Sequence, residues 1–548
     1  MAANSNGAQK PQLLDDRPVP PMGMTSEQFQ KAANSSILEI AAYYDNLSER
    51  PVLPSIAPGY LRALIPASAP QDAESWTDIQ ADMESKIIPG VTHWQSPNFM
   101  AFFPASSTYP GILGDMWSAA LTAPAFNWIC SPACTELETI VLDWVAKMTA
   151  LPEAFTSKGA GGGVIQGSAS EAIVVAVVAA RERYIKRMME KEKITDEEEL
   201  EDRMCNLRSK LVALGSKQAH SSTQKASNIA GTRFRSIDTK QEDNFALKAK
   251  ELHAKLEECK AKGLEPYYLT VTLGTTNTCT VDDFEEIAAV KKDYPDLWIH
   301  VDAAYAGATL VCPEYQHYTK HFTAFDSFDM NMHKWLCTNF DASCMYVQNR
   351  KDLTDALTIT PSYLRNTFSD SGLVTDYRDW QIPLGRRFRA LKIWFVLRTY
   401  GTKGLQAHIR HHIKMGDMFA DLVRSRSDIF EILTPPAFAL TVLSVKAKRQ
   451  TSPQDGLSNG NDPRTYQDSH MAILPKQSDE ELKEANEITK TVYDLVDSKR
   501  EVFLTSSVVG GVTAIRVVSA NPLADEKHLR NAFDILVEAA EEVLSNRK

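Results

Sequence analysis

Short apolar runs and longer helical patterns alternate along most of the chain. Three runs are apolar and rich in β-branched or aromatic residues, which predicts buried strands: Lys210–Leu214, Tyr267–Leu273 and the run from Leu297 to Asp302. Helical patterns separate these runs, and strands that alternate with helices pair in parallel. The pattern therefore predicts an α/β fold with a mostly parallel sheet flanked by helices.

Both ends of the ordered chain carry amphipathic helical patterns. Apolar residues recur at helical spacing over residues 25–50, and Glu74–Ile88 shows a second such pattern. The C-terminal part predicts a helix, two strands and a helix, over Asp479–Arg500, Glu501–Thr505, Thr513–Val518 and Asp525–Lys548. We therefore expect an N-terminal helical segment and a small α+β C-terminal domain.

Two stretches have no such periodicity. Residues 1–24 are rich in Pro, Asn, Gln and Gly, which predicts a disordered tail, and residues 447–480 form a polar, turn-rich insert. Between them we place an N-terminal helical segment over 25–108 and a large domain over 109–391. The small C-terminal domain then covers 392–548 and includes the insert.

Composition narrows the class of protein. The chain has 548 residues, 43% hydrophobic and 24% charged, which is typical of a globular protein with a large core. A formal charge of −11 argues against a main role in binding nucleic acid. We find no secretory signal and no membrane-length apolar window, so we expect a cytoplasmic protein with eight reduced cysteines.

Two spaced pairs resemble metal ligands, but we predict no metal site. Cys130 and Cys134 have no second ligand pair at zinc-like spacing, so small buried hydrophobic residues explain them better. His408 and His412 lie four apart on a predicted helix, but no glutamate stands between them as in a metalloprotease motif. We interpret them as part of an exposed polar face.

Candidate chemistry centres on the stretch Asp326–Leu336, with the sequence DSFDMNMHKWL. Lys334 lies in this mostly apolar run, and burying an ammonium group is costly unless it is paired or its pKa falls. A lysine with a lowered pKa is a nucleophile that forms a Schiff base with an aldehyde cofactor. The alternative is an ordinary lysine whose charged end reaches solvent.

Two other stretches favour a cofactor. Asp302 ends a predicted buried strand, where α/β proteins bind ligands, and a carboxylate there can keep a pyridine nitrogen protonated. The glycine-rich start of Gly159–Arg183 leads through Ser168 and Ser170 into a long helix, and free N–H groups at a helix start bind phosphate. The alternatives are a strand-ending cap for Asp302 and a flexible loop for the glycines.

These stretches together resemble one family closely. The chain looks like the group II pyridoxal-phosphate (PLP)-dependent decarboxylases, specifically the aromatic-L-amino-acid decarboxylases, over roughly residues 25–445 and again from near 480. The most specific matches are Pro58–Pro66, Gly90–Pro97, Ser131–Glu138, Gly163–Ala172, His300–Gly307 and Trp380–Arg389. The resemblance implies fold type I of the PLP-dependent transferases (aspartate aminotransferase-like), with a seven-stranded sheet, and an obligate homodimer.

The resemblance also implies roles for individual residues. Lys334 would hold PLP, Asp302 would bind its ring nitrogen, His220 would stack on the ring, and the hydroxyl of Tyr363 would reprotonate the substrate Cα. The other residues implied to bind the cofactor are Ala169, Ser170, Thr276, Ala304, Asn331 and His333. Met332 stands where the family usually has proline, which loosens the approach to the lysine.

The same resemblance implies an aromatic substrate. The residues implied to bind it are Trp94, Phe102, Phe103, Ala105, Pro124, Phe126 from the partner subunit, His220 and Gly385. Ala105 replaces a common threonine, and Pro124 replaces a larger aliphatic residue. Gly385 and Phe102 point to L-tryptophan or 5-hydroxytryptophan, with L-DOPA, L-tyrosine and L-phenylalanine still open.

Three alternatives to a simple aromatic decarboxylase remain. Family members with phenylalanine in place of Tyr363 tend to be aldehyde synthases. A glutamate or histidine decarboxylase shares the fold, although the aromatic walls argue against glutamate. A non-catalytic scaffold is the third. Arg386, Arg387 and Arg389 form a basic cluster at a helix start, which we interpret as structural ion-pair donors.

Overall fold

The computed structural model describes residues 22–359, 368, 374–447 and 478–547. These residues form two compact units, which divide the chain between His93 and Trp94. Most of the predicted tail and of the predicted insert lies outside the described residues, as does Tyr363. The domain boundaries proposed from the sequence therefore stay predictions.

The first unit is helical, as its apolar spacing predicted. Its helices are α1 (Ser26–Asp45), α2 (Tyr60–Leu64) and α3 (Trp76–Asp82), and a turn of π-helix over Met83–Ile87 continues α3. A capping box at Thr25 begins α1, in which the Thr25 side chain accepts a hydrogen bond from a first-turn N–H.

The second unit is built on a seven-stranded sheet, and this confirms the mostly parallel α/β prediction. Its strands are β1 (Gly162–Gln166), β2 (Leu211–Ser216), β3 (Arg233–Ile237), β4 (Glu265–Thr272), β5 (Trp298–Asp302), β6 (Ser327–Asn331) and β7 (Ser343–Val347). Their order is β1-β7-β6-β5-β4-β2-β3, and only the two ladders that involve β7 are antiparallel. The carboxyl ends of β4, β5 and β6 therefore meet at one edge of the sheet.

Helices cover both faces of this sheet. They are α4 (Tyr109–Leu121), α5 (Pro132–Met148), α6 (Ala169–Glu192), α7 (Glu197–Lys210), α8 (Ser222–Ile229), α9 (Ala249–Ala261), α10 (Phe284–Asp293), α11 (Met332–Trp335), α12 (Arg350–Leu357) and α13 (Arg389–Ser425). Short 3₁₀ segments follow β5 over Ala306–Val311 and Pro313–Ala324. Apolar side chains of α6, including Ile173 and Val177, pack on one face with Tyr268 and Met345.

The C-terminal part is α+β, as predicted. An antiparallel sheet of order β10-β11-β9-β8 joins β8 (Phe430–Ile432), β9 (Leu440–Val445), β10 (Thr505–Val509) and β11 (Val512–Val518). Helices α14 (Asp479–Lys499) and α15 (Glu526–Ser545) share an apolar core with this sheet.

The predicted strand over Glu501–Thr505 is wrong, because β10 begins where that prediction ends. The backbone of Phe503 pairs elsewhere: its carbonyl accepts a hydrogen bond from Met100 N at 2.9 Å, and its N–H donates to Asn98 O at 3.0 Å. A partner 400 residues away in sequence is invisible to local periodicity.

The predicted exposed histidine face of α13 is also wrong. His412 is buried, and its Nδ1 accepts a hydrogen bond from Trp335 Nε1 at 3.0 Å. His408 shares that side of the helix with the buried Leu405 and Ile409, because these positions recur at helical spacing.

Cys130 is exposed rather than buried, whereas Cys134 is buried as predicted; all eight cysteines are free thiols. No group of three or more His, Cys, Asp or Glu side chains within the described residues is arranged to hold a metal ion. Of the described helices, none is long and apolar enough to cross a membrane.

Candidate active site

Lys334 lies directly beyond the carboxyl end of β6. That strand ends at Asn331, and the single turn of α11 carries the lysine. Asn331 N donates to Ala304 O at 3.1 Å, and Ser106 Oγ donates to Lys334 O at 2.8 Å. These bonds fix the main chain on both sides of Lys334, so the position of its side chain is well defined.

The surroundings of Lys334 favour the neutral amine. Its Nζ lies 5.6 Å from the centre of the Phe103 ring. Burial lowers the pKa of Lys334, while the nearby carboxylates of Asp302 and Asp329 oppose that shift. A neutral amine next to carboxylates is a suitable nucleophile for an aldehyde. The apolar pattern of the sequence therefore predicted the environment of this lysine correctly.

Asp302 ends β5, next to the strand that leads to Lys334. It pairs in register with Thr272 of β4 and with Asp329 of β6. The carboxylate is buried, and its Oδ1 accepts a hydrogen bond from Ala304 N at 3.0 Å. This bond orients the carboxylate, and it also gives Ala304 a direct contact with the site.

The glycine-rich loop ends at the N-terminus of α6. Ser168 caps the helix, because its Oγ accepts a hydrogen bond from Glu171 N at 3.2 Å. Glu171 in turn accepts from Gly167 N at 2.9 Å. Helix geometry leaves the first-turn N–H groups of Ala169 and Ser170 without an intrahelical acceptor, which suits a phosphate.

Two histidines of the site are held in a single tautomer. His220 Nδ1 accepts a hydrogen bond from Ser222 N at 3.2 Å, and His333 Nδ1 accepts from Ala342 N at 2.8 Å. Each Nε2 therefore carries the proton and is a donor. Loss of hydration lowers the pKa of both imidazoles, to about 4 for His333. For His220, the charge of Asp302 opposes the shift and that of Lys334 adds to it.

A stack of aromatic rings stands beside the lysine. Phe103 stacks on Tyr305 with ring centres 3.8 Å apart, and Tyr305 stacks on Trp335 at 4.6 Å. Trp94 and Phe102 form a separate pair at 5.7 Å, and both are exposed. Of the predicted aromatic wall, Phe103 is the residue in contact with Lys334.

The remaining predicted substrate residues lie in two other places. Pro124 O accepts a hydrogen bond from Arg386 N at 2.9 Å, so Pro124 lies close to the residue that follows Gly385. Phe126 is half-buried near this segment, and Ala105 O accepts a hydrogen bond from Gln95. A Cβ added to Gly385 would meet no atom of the described chain within 4 Å.

Two of the three arginines at the start of α13, Arg386 and Arg389, are structural ion-pair donors as interpreted from the sequence, whereas Arg387 is exposed. Arg386 is buried and pairs with Glu138 of α5, and it donates to Gln381 Oε1 at 2.6 Å. Arg389 pairs with Asp341 at 2.9 Å.

Sequence reasoning missed Asp329, His300 and Arg516. Asp329 lies two residues before Asn331 on β6, so strand alternation places both side chains on the same face. Arg516 is buried in β11; it donates to Thr276 O at 2.8 Å, and its guanidinium lies 5.3 Å from the Phe103 ring centre. The sequence feature that could have identified Arg516 is the presence of an arginine within an otherwise aliphatic predicted strand.

The residues present fit pyridoxal phosphate. Thr272 Oγ1, Asp329 Oδ2 and Asn331 Oδ1 are buried and have no hydrogen-bond partner among the described residues. All three belong to the carboxyl-end residues of β4 and β6, beside Lys334 and Asp302. Unpaired buried polar atoms are costly, so their clustering here is consistent with a site built to receive a polar ligand.

Comparison with known proteins decides the family. The sequence profile of the pyridoxal-dependent decarboxylase conserved domain matches residues 58–446. The chain belongs to the pyridoxal-dependent decarboxylase family. Its cofactor is therefore pyridoxal phosphate, and it is a carboxy-lyase.

Individual relatives narrow the family to the enzymes of aromatic amino acids. The chain is 47% identical over 429 residues to the aromatic-L-amino-acid decarboxylase of Rattus norvegicus, covering 78% of this chain and 87% of that one. It is 40% identical over 524 residues to the phenylacetaldehyde synthase of Arabidopsis thaliana, covering 95% and 97%. These two relatives make different products.

A solved structure has the same fold. The structure described as Oryza sativa TDC with PLP and tryptamine is 34% identical, with a TM-score of 0.85, and covers 96% of this chain and 99% of that one. The predicted fold class is thereby confirmed.

Proposed function

We propose that the chain converts aromatic L-amino acids to arylalkylamines and CO₂ at Lys334, with L-tryptophan or 5-hydroxytryptophan as preferred substrate. One observation carries this proposal: a lysine with a lowered pKa lies between a buried strand-end carboxylate, Asp302, and an aromatic ring, Phe103. The first two groups are those that PLP requires, and the third suits an aromatic substrate.

The roles proposed for individual residues are those that the family resemblance implies. Pyridoxal phosphate, when bound, supplies a conjugated ring that accepts the electron pair released as CO₂ leaves. Lys334 would hold its aldehyde carbon, and Asp302 would keep its ring nitrogen protonated. The first-turn N–H groups of Ala169 and Ser170 would hold its phosphate. The other residues proposed to hold the cofactor are Thr276, Ala304, Asn331 and His333.

Two residues are proposed to act on the substrate. By resemblance to the family, the imidazole of His220 would stack on the cofactor ring, near the substrate carboxylate. Its lowered pKa keeps it neutral, so it does not form an ion pair that would hold the carboxylate in place. The hydroxyl of Tyr363 delivers a proton to the substrate Cα after CO₂ has left.

The preference for an indole ring rests on space. Gly385 lacks a side chain, and the described chain leaves the volume beside its Cα open. The other residues proposed to line the substrate pocket are Trp94, Phe102, Phe103, Ala105, Pro124 and, from the partner subunit, Phe126. The presence of tryptamine in the rice structure supports an indolic substrate for this chain.

A second candidate reaction is the oxidative one that gives an aldehyde. The likeness to a phenylacetaldehyde synthase favours it, whereas the hydroxyl of Tyr363 favours the amine. We expect Tyr363→Phe to divert most of the product from arylalkylamine to aldehyde, because the proton donor is lost. Dissolved dioxygen is then reduced to hydrogen peroxide, and water releases the nitrogen as ammonia. Amine and peroxide measured in the same reaction decide this, and an unchanged amine yield would refute the role of Tyr363.

Borohydride labelling tests where the cofactor binds. We expect reduction of the holoenzyme to attach a pyridoxyl group to the peptide that contains Lys334, and peptide mapping by mass spectrometry will locate it. The buried Lys392, which pairs with Asp115 at 3.3 Å, is the internal control and should stay unlabelled. Label on another lysine, or label that survives in Lys334→Ala, would contradict the proposal.

We also propose a cytoplasmic homodimer. Support for the dimer comes from α4, whose buried side is formed by Gly111, Gly114 and Ser118. Its other side exposes large apolar side chains: Leu113, Met116, Trp117 and Leu121. An exposed apolar strip of this kind marks a protein interface more often than free surface.

A further inference from the structure

A chain of four hydrogen-bonded side chains crosses β5 and β6 beneath the proposed cofactor site. Trp298 Nε1 lies 2.7 Å from Ser327 Oγ, which lies 2.8 Å from His300 Nδ1. His300 Nε2 then lies 2.9 Å from Asp329 Oδ1. All four side chains are buried, so solvent does not compete for these bonds.

The chemistry of the first member gives the chain a direction. The indole N–H of Trp298 can only donate, so Ser327 Oγ is its acceptor. The Ser327 hydroxyl is then free to donate to His300 Nδ1, which places the imidazole proton on Nε2, facing Asp329. The chain thus ends in a hydrogen bond between His300 Nε2 and Asp329 Oδ1.

Asp329 is the neighbour of Asp302 in the sheet. The two residues pair in register on adjacent parallel strands, which places two carboxylates side by side next to Lys334. Asp329 Oδ2 is buried and has no hydrogen-bond partner among the described residues. The Ser-His-Asp chain therefore ends in a carboxylate whose second oxygen accepts no hydrogen bond from the described residues.

The titratable groups around Asp329 come from four elements. His300 and Asp302 lie beside it on β5, Lys334 on α11 and Tyr268 on β4. Cys344 of β7 is also near, but it pairs with Met330 and therefore lies on the opposite face of the sheet. Helix α6 covers this face of the sheet with apolar side chains such as those that pack on Tyr268. Lys334 is thus the lysine of this group, and Asp302 and Asp329 oppose the lowering of its pKa by burial.

We propose that His300 and Asp329 form a positioning pair that keeps a second negative charge beside Asp302 and so stabilises the protonated ring nitrogen and the protonated Lys334 nitrogen of the bound cofactor. This inference rests on the proposed placement of the cofactor at Lys334 and Asp302. His300 acts through Asp329 by holding one of its oxygens, and neither residue transfers a proton to the substrate.

The charge of Asp329 depends on pH in a defined direction. Burial raises the pKa of Asp329 to about 6, and the hydrogen bond from His300 and the charge of Lys334 oppose that rise. Above this pH the carboxylate is ionised and stabilises the neighbouring cationic nitrogens. As the pH falls through this value the carboxylate takes up a proton, and this stabilisation is lost.

The test uses the cofactor as its own indicator in the intact holoenzyme. We titrate the visible absorbance of the bound cofactor with pH in the parent protein and in Asp329→Asn. Asp329→Asn removes a negative charge close to the protonated nitrogens of the cofactor. The pH midpoint of the absorbance change should therefore fall by about one unit. In protein loaded with ¹⁵N-labelled PLP, the ring nitrogen resonance should move toward the position of the unprotonated form.

Variants of His300 provide a second, independent test of the proposal. His300→Gln keeps an N–H group near the Nε2 position, so the midpoint should stay close to that of the parent. His300→Leu removes the donor and leaves Asp329 protonated, so the midpoint should fall as in Asp329→Asn. If Asp329→Asn does not fold, the contrast between these two variants still decides the question.

A purely structural role gives a different result. Asp326→Asn is the matched control, because Asp326 is half-buried just before the same strand and pairs with Arg183 and Lys291. Asp326→Asn should lower thermal stability without moving the pH midpoint of the cofactor absorbance. If Asp329→Asn behaves like this control, with an unmoved midpoint and an unmoved ring nitrogen resonance, the inference is overturned.

Borohydride labelling separates this result from failure of the proposed function. A pyridoxyl group on Lys334 combined with an unmoved midpoint in Asp329→Asn would overturn the inference about Asp329 alone. Absence of label on Lys334 in the parent protein would overturn the placement of the cofactor, and the inference with it.

Discussion

At the scale of single residues, the environment of Lys334 determines its chemistry. Burial favours the neutral form of its amine, whereas Asp302 and Asp329 favour the charged form, and the net effect is a lowered pKa. A larger fraction of the lysine is therefore nucleophilic at neutral pH than for an exposed lysine.

This balance predicts the pH dependence of cofactor uptake. The rate at which apoprotein reacts with PLP should rise with pH and level off below the ordinary lysine pKa of about 10.4. Stopped-flow absorbance between pH 6 and pH 11 measures this. A rate that still rises above the ordinary lysine value would show that Lys334 is not the reacting amine or is not desolvated.

The sequence predicted this residue and Asp302 but not their neighbours. Lys334 and Asp302 stand out because each is a single charge at the end of an apolar run. Asp329 does not stand out, because its importance comes from the adjacent strand β5, which lies near it only in the folded sheet. Arg516 reaches the site from another sheet, and no local pattern connects it to Thr276.

At the scale of elements, buried charged pairs fix the segments that surround the site. Arg386 connects the start of α13 to Glu138 of α5, and the same Glu138 accepts a hydrogen bond from Ile165 N of β1 at 2.8 Å. Loss of the arginine would leave a buried carboxylate without its cation.

We therefore expect Arg386→Ala to destabilise the protein by about 3–5 kcal/mol, the usual result of breaking a buried ion pair. Thermal unfolding measures the effect. Arg387→Ala is the matched control, because the Arg387 side chain is 59% exposed, and it should change stability little. Equal effects of the two substitutions would contradict the structural role of Arg386.

The buried histidines of α13 predict acid sensitivity. Burial lowers the pKa of His408 to about 4 and lowers the pKa of His412 well below its ordinary value. The unfolded chain takes up protons on these histidines near pH 6.5, whereas the folded chain does not. The stability that the neutral histidines contribute to the fold is therefore present above pH 6.5 and is lost as the pH falls toward 4.

Each of these histidines lowers the free energy of unfolding by at most about 1.4 kcal/mol per pH unit in that window. His408→Gln should flatten the fall in the thermal midpoint between pH 6.5 and pH 5. An identical pH profile in this variant would show that His408 is already protonated in the folded state.

Element prediction succeeded where periodicity is local. The strands β2, β4 and β5 and the helices α1, α6 and α14 follow from spacing of apolar residues and from capping residues. The start of β10 did not, because the backbone of Phe503 is paired with the segment around Met100. The histidine face of α13 was also missed, because burial of a polar face depends on what packs against it.

At the scale of the whole molecule, the exposed apolar side of α4 forms the proposed dimer interface. Sedimentation equilibrium should give twice the chain mass of 61.0 kDa. Trp117→Arg combined with Leu121→Arg should give monomers, because two charges would enter an apolar interface. Ile229→Arg is the control, since Ile229 is equally exposed but lies on α8. A dimer that persists in the double variant would place the interface elsewhere.

The measurement that tests the account most directly is identification of the product. Purified holoenzyme would receive an equimolar mixture of L-tryptophan, 5-hydroxytryptophan, L-DOPA, L-tyrosine, L-phenylalanine, L-histidine and L-glutamate, and mass spectrometry would quantify every amine and aldehyde, with Lys334→Ala as the blank. We predict that tryptamine or 5-hydroxytryptamine accumulates first, with little aldehyde or peroxide. Aldehyde with stoichiometric peroxide, or an amine from histidine or glutamate alone, would contradict the account.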